Sequence, residues 1–197
     1  MMTKPRWPGN AQCIVLVTVD TDGTGNEVGK GLDPAGVNSI GGYSARRGIP
    51  RLLEVFNRQR IPATFFVGGY DAETDPDVVR RIVSDGHEVA AHGYLHESWD
   101  VSLDEEDRLL RRTHEILTNI TGTRPLGWRS PGGQKTSRTL AVLRELGYLY
   151  DSSDKDFDAP YPAVVGGRPV PDMVEIPNIT STLDDAYMYR IGMLSAG

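Results

Sequence analysis

Seven consecutive residues, CIVLVTV at 13–19, form a largely β-branched apolar run that stops at Asp20. Such a run predicts a strand buried on both faces. The next apolar period differs: in IPRLLEVFNRQR (49–60), Leu52, Leu53, Val55 and Phe56 recur with helical spacing, and Pro50 suits a first turn. Two strand-like runs, ATFFVGG (63–69) and GHEVAAH (86–92), flank DPDVVRRIVSDG, which predicts a helix with Asp75 as N-cap and Gly86 beyond its end. Ser102 and Glu105 make a capping box ahead of the longest helical period, which Gly122 closes. RPLGWRS (124–130) and YLYDSS (148–153) predict short strands around a helix, TLAVLREL, that Ser137 can cap and Gly147 ends. VEIPNI (174–179) predicts a sixth strand after a proline-rich connector, APYPAVVGGRPVP (159–171).

Strands alternating with helices at this rhythm imply an α/β fold, a parallel sheet covered by helices. No repeat or linker interrupts it, so residues 1–197 are expected to form a single domain. One segment breaks the rhythm. TDGTGNEVGKGLDPAGVNSIGGYSAR (21–46) has no apolar period and is too long for a simple connector. The chemically interesting residues fall at the carboxyl ends of the predicted strands: Asp20 and Asp22 after the first, His92 and His96 after the third, Arg129 after the fourth, Asp151 after the fifth. In an α/β barrel those ends converge on one mouth, where active sites are assembled.

Composition narrows the partners. The 197 residues include 39% hydrophobic and 24% charged residues, enough to bury a core. A formal net charge of -6 argues against nucleic acid or an anionic membrane, which need a concentrated basic surface. No window approaches the ~20 apolar residues of a membrane helix, and MMTKPRWPGNAQ does not read as an export signal. The single cysteine, Cys13, permits no internal disulfide and fits a reducing compartment, so a cytoplasmic location is expected. Cys13 itself reads as a small apolar residue of the first strand.

For the chemistry, His92 and His96 taken alone could be structural or solvated, and Asp-Thr-Asp alone could be a turn element. Together they offer two imidazoles and a carboxylate, a common catalytic zinc set that leaves a position for water. The second carboxylate could then serve as general base. Rival motifs fail on their own rules. A phosphate loop would need glycine at Thr24 and Ser or Thr at Gly31. Glu97 is followed by Ser98, Trp99 and Asp100, so H-E-x-x-H is absent, as is G-x-S-x-G. The cluster Asp151, Asp154, Asp156, Asp158 lacks the glycine and terminal glutamate of a calcium loop. His87 and His114 read as structural or surface residues.

The ordered set TVDTDG, AHGYLHES, WRSPGG and YDSS resembles the polysaccharide deacetylase family, also called the NodB-homology domain or carbohydrate esterase family 4. GYSARRGIPRLL, IPATFFVGG and GHEVAAHGYLHE are most similar to its cytosolic peptidoglycan-deacetylase-like and allantoinase-like branch. The resemblance implies a distorted (β/α)7 barrel. It implies Asp20 as catalytic base, oriented by Arg129, and Asp22, His92 and His96 as metal ligands. Oxyanion and substrate contacts would fall near Pro131, on Gly132 and Gly133, and on Asp151. The implied metal is zinc, with nickel or cobalt open because N/O ligands discriminate poorly. The implied substrate is a peptidoglycan-type N-acetyl sugar, or alternatively a cyclic amide or ureide such as allantoin. The family's last motif supplies an acid histidine, and no histidine follows His114. The barrel is therefore expected to lack its last C-terminal elements, unless another group is the acid or the chain binds metal without turnover. The glycine-rich segment 23–46 is expected to form part of the substrate wall or a subunit contact, which leaves a homo-oligomer open.

Overall fold

The computed structural model describes residues 11–35 and 39–178, with Trp7 and Gly9. β1 (Thr18–Thr21) leads into α1 (Thr24–Gly29), the short α2 (Gly41–Tyr43) and α3 (Ile49–Gln59). β2 (Thr64–Val67) is followed by α4 (Gly69–Thr74) and α5 (Pro76–Ser84), then β3 (Glu88–Ala91), α6 (Leu103–Thr121), β4 (Gly127–Trp128), α7 (Thr139–Glu145) and β5 (Tyr150–Asp151). β6 (Tyr161–Val165) and β7 (Arg168–Glu175) close the described chain. Among the described residues the strands form one seven-stranded sheet in the order β1-β2-β3-β4-β5-β7-β6, parallel throughout except for the β6–β7 hairpin. This is a barrel-like, mostly parallel α/β fold.

The helices behave as their sequences dictate. α3 buries Ile49, Leu53 and Phe56 and ends at Arg60 in the left-handed region. Ser102 Oγ accepts from the Glu105 amide at 3.2 Å, and Gly122 at φ 75° stops α6. Leu110, Leu117, Leu140 and Leu143 from α6 and α7 pack with Phe65, Val67, Ala91 and Trp128 of the sheet in one core. Fully buried Glu106 accepts from the Thr136 and Thr139 hydroxyls, so this charged side chain is satisfied where α6 meets the start of α7.

Five readings of the sequence need correction. The run 13–19 is not a doubly buried strand: Ile14, Val15 and Leu16 are exposed, as is Cys13, and only Thr18 and Val19 lie in β1. β1 is the outermost strand among the described residues, so residues 13–16 lack a second neighbour to cover them. The proline-rich connector is β6 and the first half of β7, turned by Gly166 and Gly167 at φ 56° and 77°, the positive angles a tight hairpin demands. Segment 21–46 contains helical turns despite its lack of an apolar period, because side-chain carboxylates satisfy its backbone: Glu27 accepts from the Ile40 and Gly41 amides and the Ser39 hydroxyl. The two further cap readings fail alike: Asp75 stands at the N-cap of α5 without a side-chain capping hydrogen bond, and the N-cap of α7 is Arg138, not Ser137, again with no side-chain cap.

The predicted sixth strand overlaps the end of β7, while Ile179 and the expectation about C-terminal elements lie outside the described residues. Among the described residues, no helix is long and apolar enough to cross a membrane.

Candidate metal centre

Parallel pairing of β1, β2 and β3 puts the ends of β1 and β3 on the same rim. At the end of β1, Thr21 turns inward, its hydroxyl donating to Phe66 O at 3.0 Å, while Asp20 and Asp22 face outward. At the end of β3 the buried His92 donates its amide to Val67 O, which extends the β2–β3 ladder by one residue.

His92 Nδ1 lies 2.8 Å from Arg129 O. A carbonyl only accepts, so Nδ1 carries a hydrogen and Nε2 is the nitrogen left to bind a metal. It faces Asp22 Oδ1 at 3.5 Å, and His96 Nε2 meets the same oxygen at 3.5 Å. The three ligand atoms lie within 4.8 Å of one another. Two donors about 2.0–2.1 Å from one tetrahedral ion stand roughly 3.3–3.4 Å apart, so the observed spacing suits a shared cation. His96 adopts φ 59°, a left-handed conformation rare outside glycine, and that backbone geometry brings its ring 5.3 Å from the His92 ring. Electrostatics agree with a cation-seeking site. Burial opposes charge on both His92 and Asp22. The His92 and His96 imidazoles outweigh it and hold Asp22 below its ordinary pKa, while the Asp22 and Asp20 carboxylates hold His92 above its own.

Asp20 has a different partner. Arg129 Nη1 lies 2.6 Å from Asp20 Oδ1 and 3.1 Å from Thr18 Oγ1. The guanidinium is itself fixed: Nε donates to Ser152 O at 2.9 Å, Nη2 to Ser152 Oγ at 2.8 Å, and its plane lies 4.0 Å from the Phe66 ring centre. Arg129 is buried, and the Asp20 side chain stays one-third exposed. One carboxylate oxygen is thus anchored on the rim beside the three ligands.

The remaining predicted residues are engaged in other contacts. Gly132 and Gly133 adopt φ 67° and 81°, and the Gly133 amide donates to Ser130 O at 3.0 Å within the turn. That amide is engaged and not free as an oxyanion donor. Asp151 is fully buried and paired with Lys135 Nζ at 2.5 Å, so it does not face the mouth. The Lys135 ammonium also approaches Asp154 at 2.7 Å and Glu175 at 3.3 Å. These three carboxylates converge closely enough to hold an ion, but the Lys135 ammonium already sits among them. Burial and the Asp151 carboxylate push Glu175 up to about 8, and the carboxylates outweigh burial to raise Lys135.

Sequence reasoning passed over Ser152, Lys135 and Glu175. Ser152 lay inside the quoted YDSS, yet nothing in a lone serine says that it will grip an arginine 23 residues away.

The chain is similar to known proteins across this region. The sequence model of the polysaccharide deacetylase family matches residues 41–150. A peptidoglycan deacetylase of Helicobacter pylori is 34% identical over 160 residues, 79% of this chain and 54% of that protein. The peptidoglycan deacetylase-like protein FGM2 of Gibberella zeae is 32% identical over 176 residues, 85% of this chain and 51% of its own. The chain thus spans about half the length of these curated relatives. Among solved structures, a polysaccharide deacetylase of Mycobacterium smegmatis aligns with TM-score 0.75 at 38% identity, over 87% of this chain and 60% of that one. Puue allantoinase aligns with TM-score 0.72 at 27% identity, over 98% and 74%.

Proposed function

The chain belongs to the polysaccharide deacetylase family, and from that premise we propose that it is a metal-dependent hydrolase of non-peptide C–N amide bonds. Its substrate in this reading is an N-acetyl sugar of the peptidoglycan type. The observation that carries it is the convergence of Asp22, His92 and His96 beside an Asp20 anchored by Arg129.

Asp22 and the two Nε2 atoms would hold a divalent ion, for which zinc is our assignment on the donor set. Bound there, the ion would lower the pKa of water and polarise the acyl carbonyl. Asp20 is the base. With Oδ1 held by Arg129, Oδ2 is the oxygen that takes a proton from the attacking water as its O–C bond forms. Breaking the C–N bond to give acetate and a free amine requires a proton on nitrogen. Among the described residues, the newly protonated Asp20 is the group placed to return it.

The link of Nδ1 to the Arg129 carbonyl fixes the His92 tautomer, and the guanidinium of the same residue fixes Asp20, so one arginine aligns ligand and base. An exposed, free Cys13 agrees with a reducing cytoplasmic setting.

The likeness to Puue allantoinase over 98% of this chain favours a second reading, a cyclic ureide as substrate. Metal analysis together with acetate release from N-acetylglucosamine oligomers, run against ring opening of allantoin, decides between them. Bound metal with acetate release supports the deacetylase reading, and ring opening alone supports the second. Metal without either activity overturns both.

A further inference from the structure

The three ligands lie where the β-ladders stop: residues 22–25 run from β1 into the first turn of α1, and beyond His92 residues 93–97 are irregular, so the N–H groups of these stretches need partners outside a regular ladder. In each loop a single carboxylate outside the ligand set collects them. Asp71 of α4 accepts from the Gly25 amide at 2.8 Å, the Gly23 amide at 3.2 Å and the Thr24 hydroxyl at 3.4 Å. Glu97 accepts from the Leu95 amide at 2.7 Å and the Tyr94 amide at 2.9 Å, directly between His92 and His96. The approach is too close for side chains: a Cβ on Gly23 would run into the Asp71 carboxylate, and one on Gly93 into that of Glu97. The two loops are also joined. α4 donates the Gly69 amide to Gly93 O at 2.9 Å and the Tyr70 amide to Tyr94 O at 3.0 Å, while its Asp71 grips the loop of Asp22. One short helix therefore spans both halves of the ligand set.

We propose that Asp71 and Glu97 are positioning residues of the metal centre, holding the Asp22 loop and the His92–His96 loop in register across α4. This rests on the reading of Asp22, His92 and His96 as metal ligands. The carboxylates act by accepting backbone hydrogen bonds with both oxygens, so an amide side chain, which keeps one acceptor and turns a donor toward the N–H that the other oxygen held, weakens the register while conserving volume.

The test is cobalt(II) absorption and zinc affinity, the latter by competition with a chromophoric chelator, in the wild-type protein and in Asp71→Asn, Glu97→Gln and a control, Asp85→Asn. Asp85 holds Asn57 Nδ2 at 2.9 Å, just before β3 and so at the opposite end of that strand from His92. We expect Asp71→Asn and Glu97→Gln each to weaken zinc roughly 10–100-fold and to shift the cobalt bands, with the control unchanged. Should Asp71→Asn fail to fold, Gly23→Ala perturbs the same contact from the other side and is expected to shift the cobalt bands likewise. Variants with wild-type spectrum and affinity overturn the positioning assignment alone. A wild-type protein that takes up neither cobalt nor zinc overturns the metal reading and this proposal with it.

Discussion

Asp20 and Asp22 stand two residues apart and do different work, because one oxygen of Asp20 meets a guanidinium whereas Asp22 meets two imidazoles. The difference is testable by substitution. Asp20→Asn is expected to retain bound zinc while hydrolysis falls about 10²–10⁴-fold, as for loss of a general base; acetate release and elemental analysis on the same preparation check both halves. His92→Ala should abolish stoichiometric zinc, since it deletes the one ligand whose tautomer is fixed by a backbone carbonyl. Arg129→Met leaves the Asp20 carboxylate and the Ser152 carbonyl without their donor. Breaking a fully buried ion pair costs roughly 3–5 kcal/mol; because Asp20 is partly in solvent, we expect about 2–3 kcal/mol in a urea melt. At this scale the sequence was legible for the residues that its motifs placed at the ends of the first, third and fourth strands. Lys135, Glu175 and Ser152 were not legible, because their partners are distant in sequence and their chemistry exists only as contacts.

At the scale of elements, local rules held best where one element satisfies itself. The α6 cap is such a case: Ser102 Oγ takes the Glu105 amide, and Ser102→Ala should cost about 1 kcal/mol with no change in metal affinity. Helix α3 was legible from its apolar period because it buries a single face, with Leu53 and Phe56, and α5 was legible from the residues that bound it, Asp75 and Gly86. Strands were harder. β4 and β5 have two residues each, shorter than their apolar runs, and the β6–β7 hairpin was hidden by prolines. Proline forbids a ladder donor but not an edge position, and among the described residues β6 is an edge strand. The helical turns in 21–46 carry no period at all, because side-chain carboxylates and not a buried face hold them in place.

At the scale of the whole molecule, the buried cluster between β5 and β7 links stability to pH. Glu175 is raised from 4.5 to about 8 by burial and by Asp151, so the folded protein keeps a proton that the unfolded chain releases above about 4.5. Its contribution to stability is complete below that value and is lost as pH rises through about 8, a window in which the raised Lys135 stays charged. Urea unfolding of chelator-treated protein should therefore show a midpoint that declines between pH 5 and 8.5, and Glu175→Gln should flatten that slope. An unchanged slope in the variant would place the proton elsewhere. The sequence by itself determined the alternation of strands and helices, the family resemblance and the strand-end positions of Asp20, Asp22, His92, His96 and Arg129, because hydrophobic period and motif order are local. Only the tertiary structure decided that Arg129 serves both Asp20 and His92, that Asp151 turns away to Lys135, and that α4 ties the two ligand loops together. Those outcomes depend on which buried donor finds which acceptor, and that is settled by packing between residues far apart in the chain.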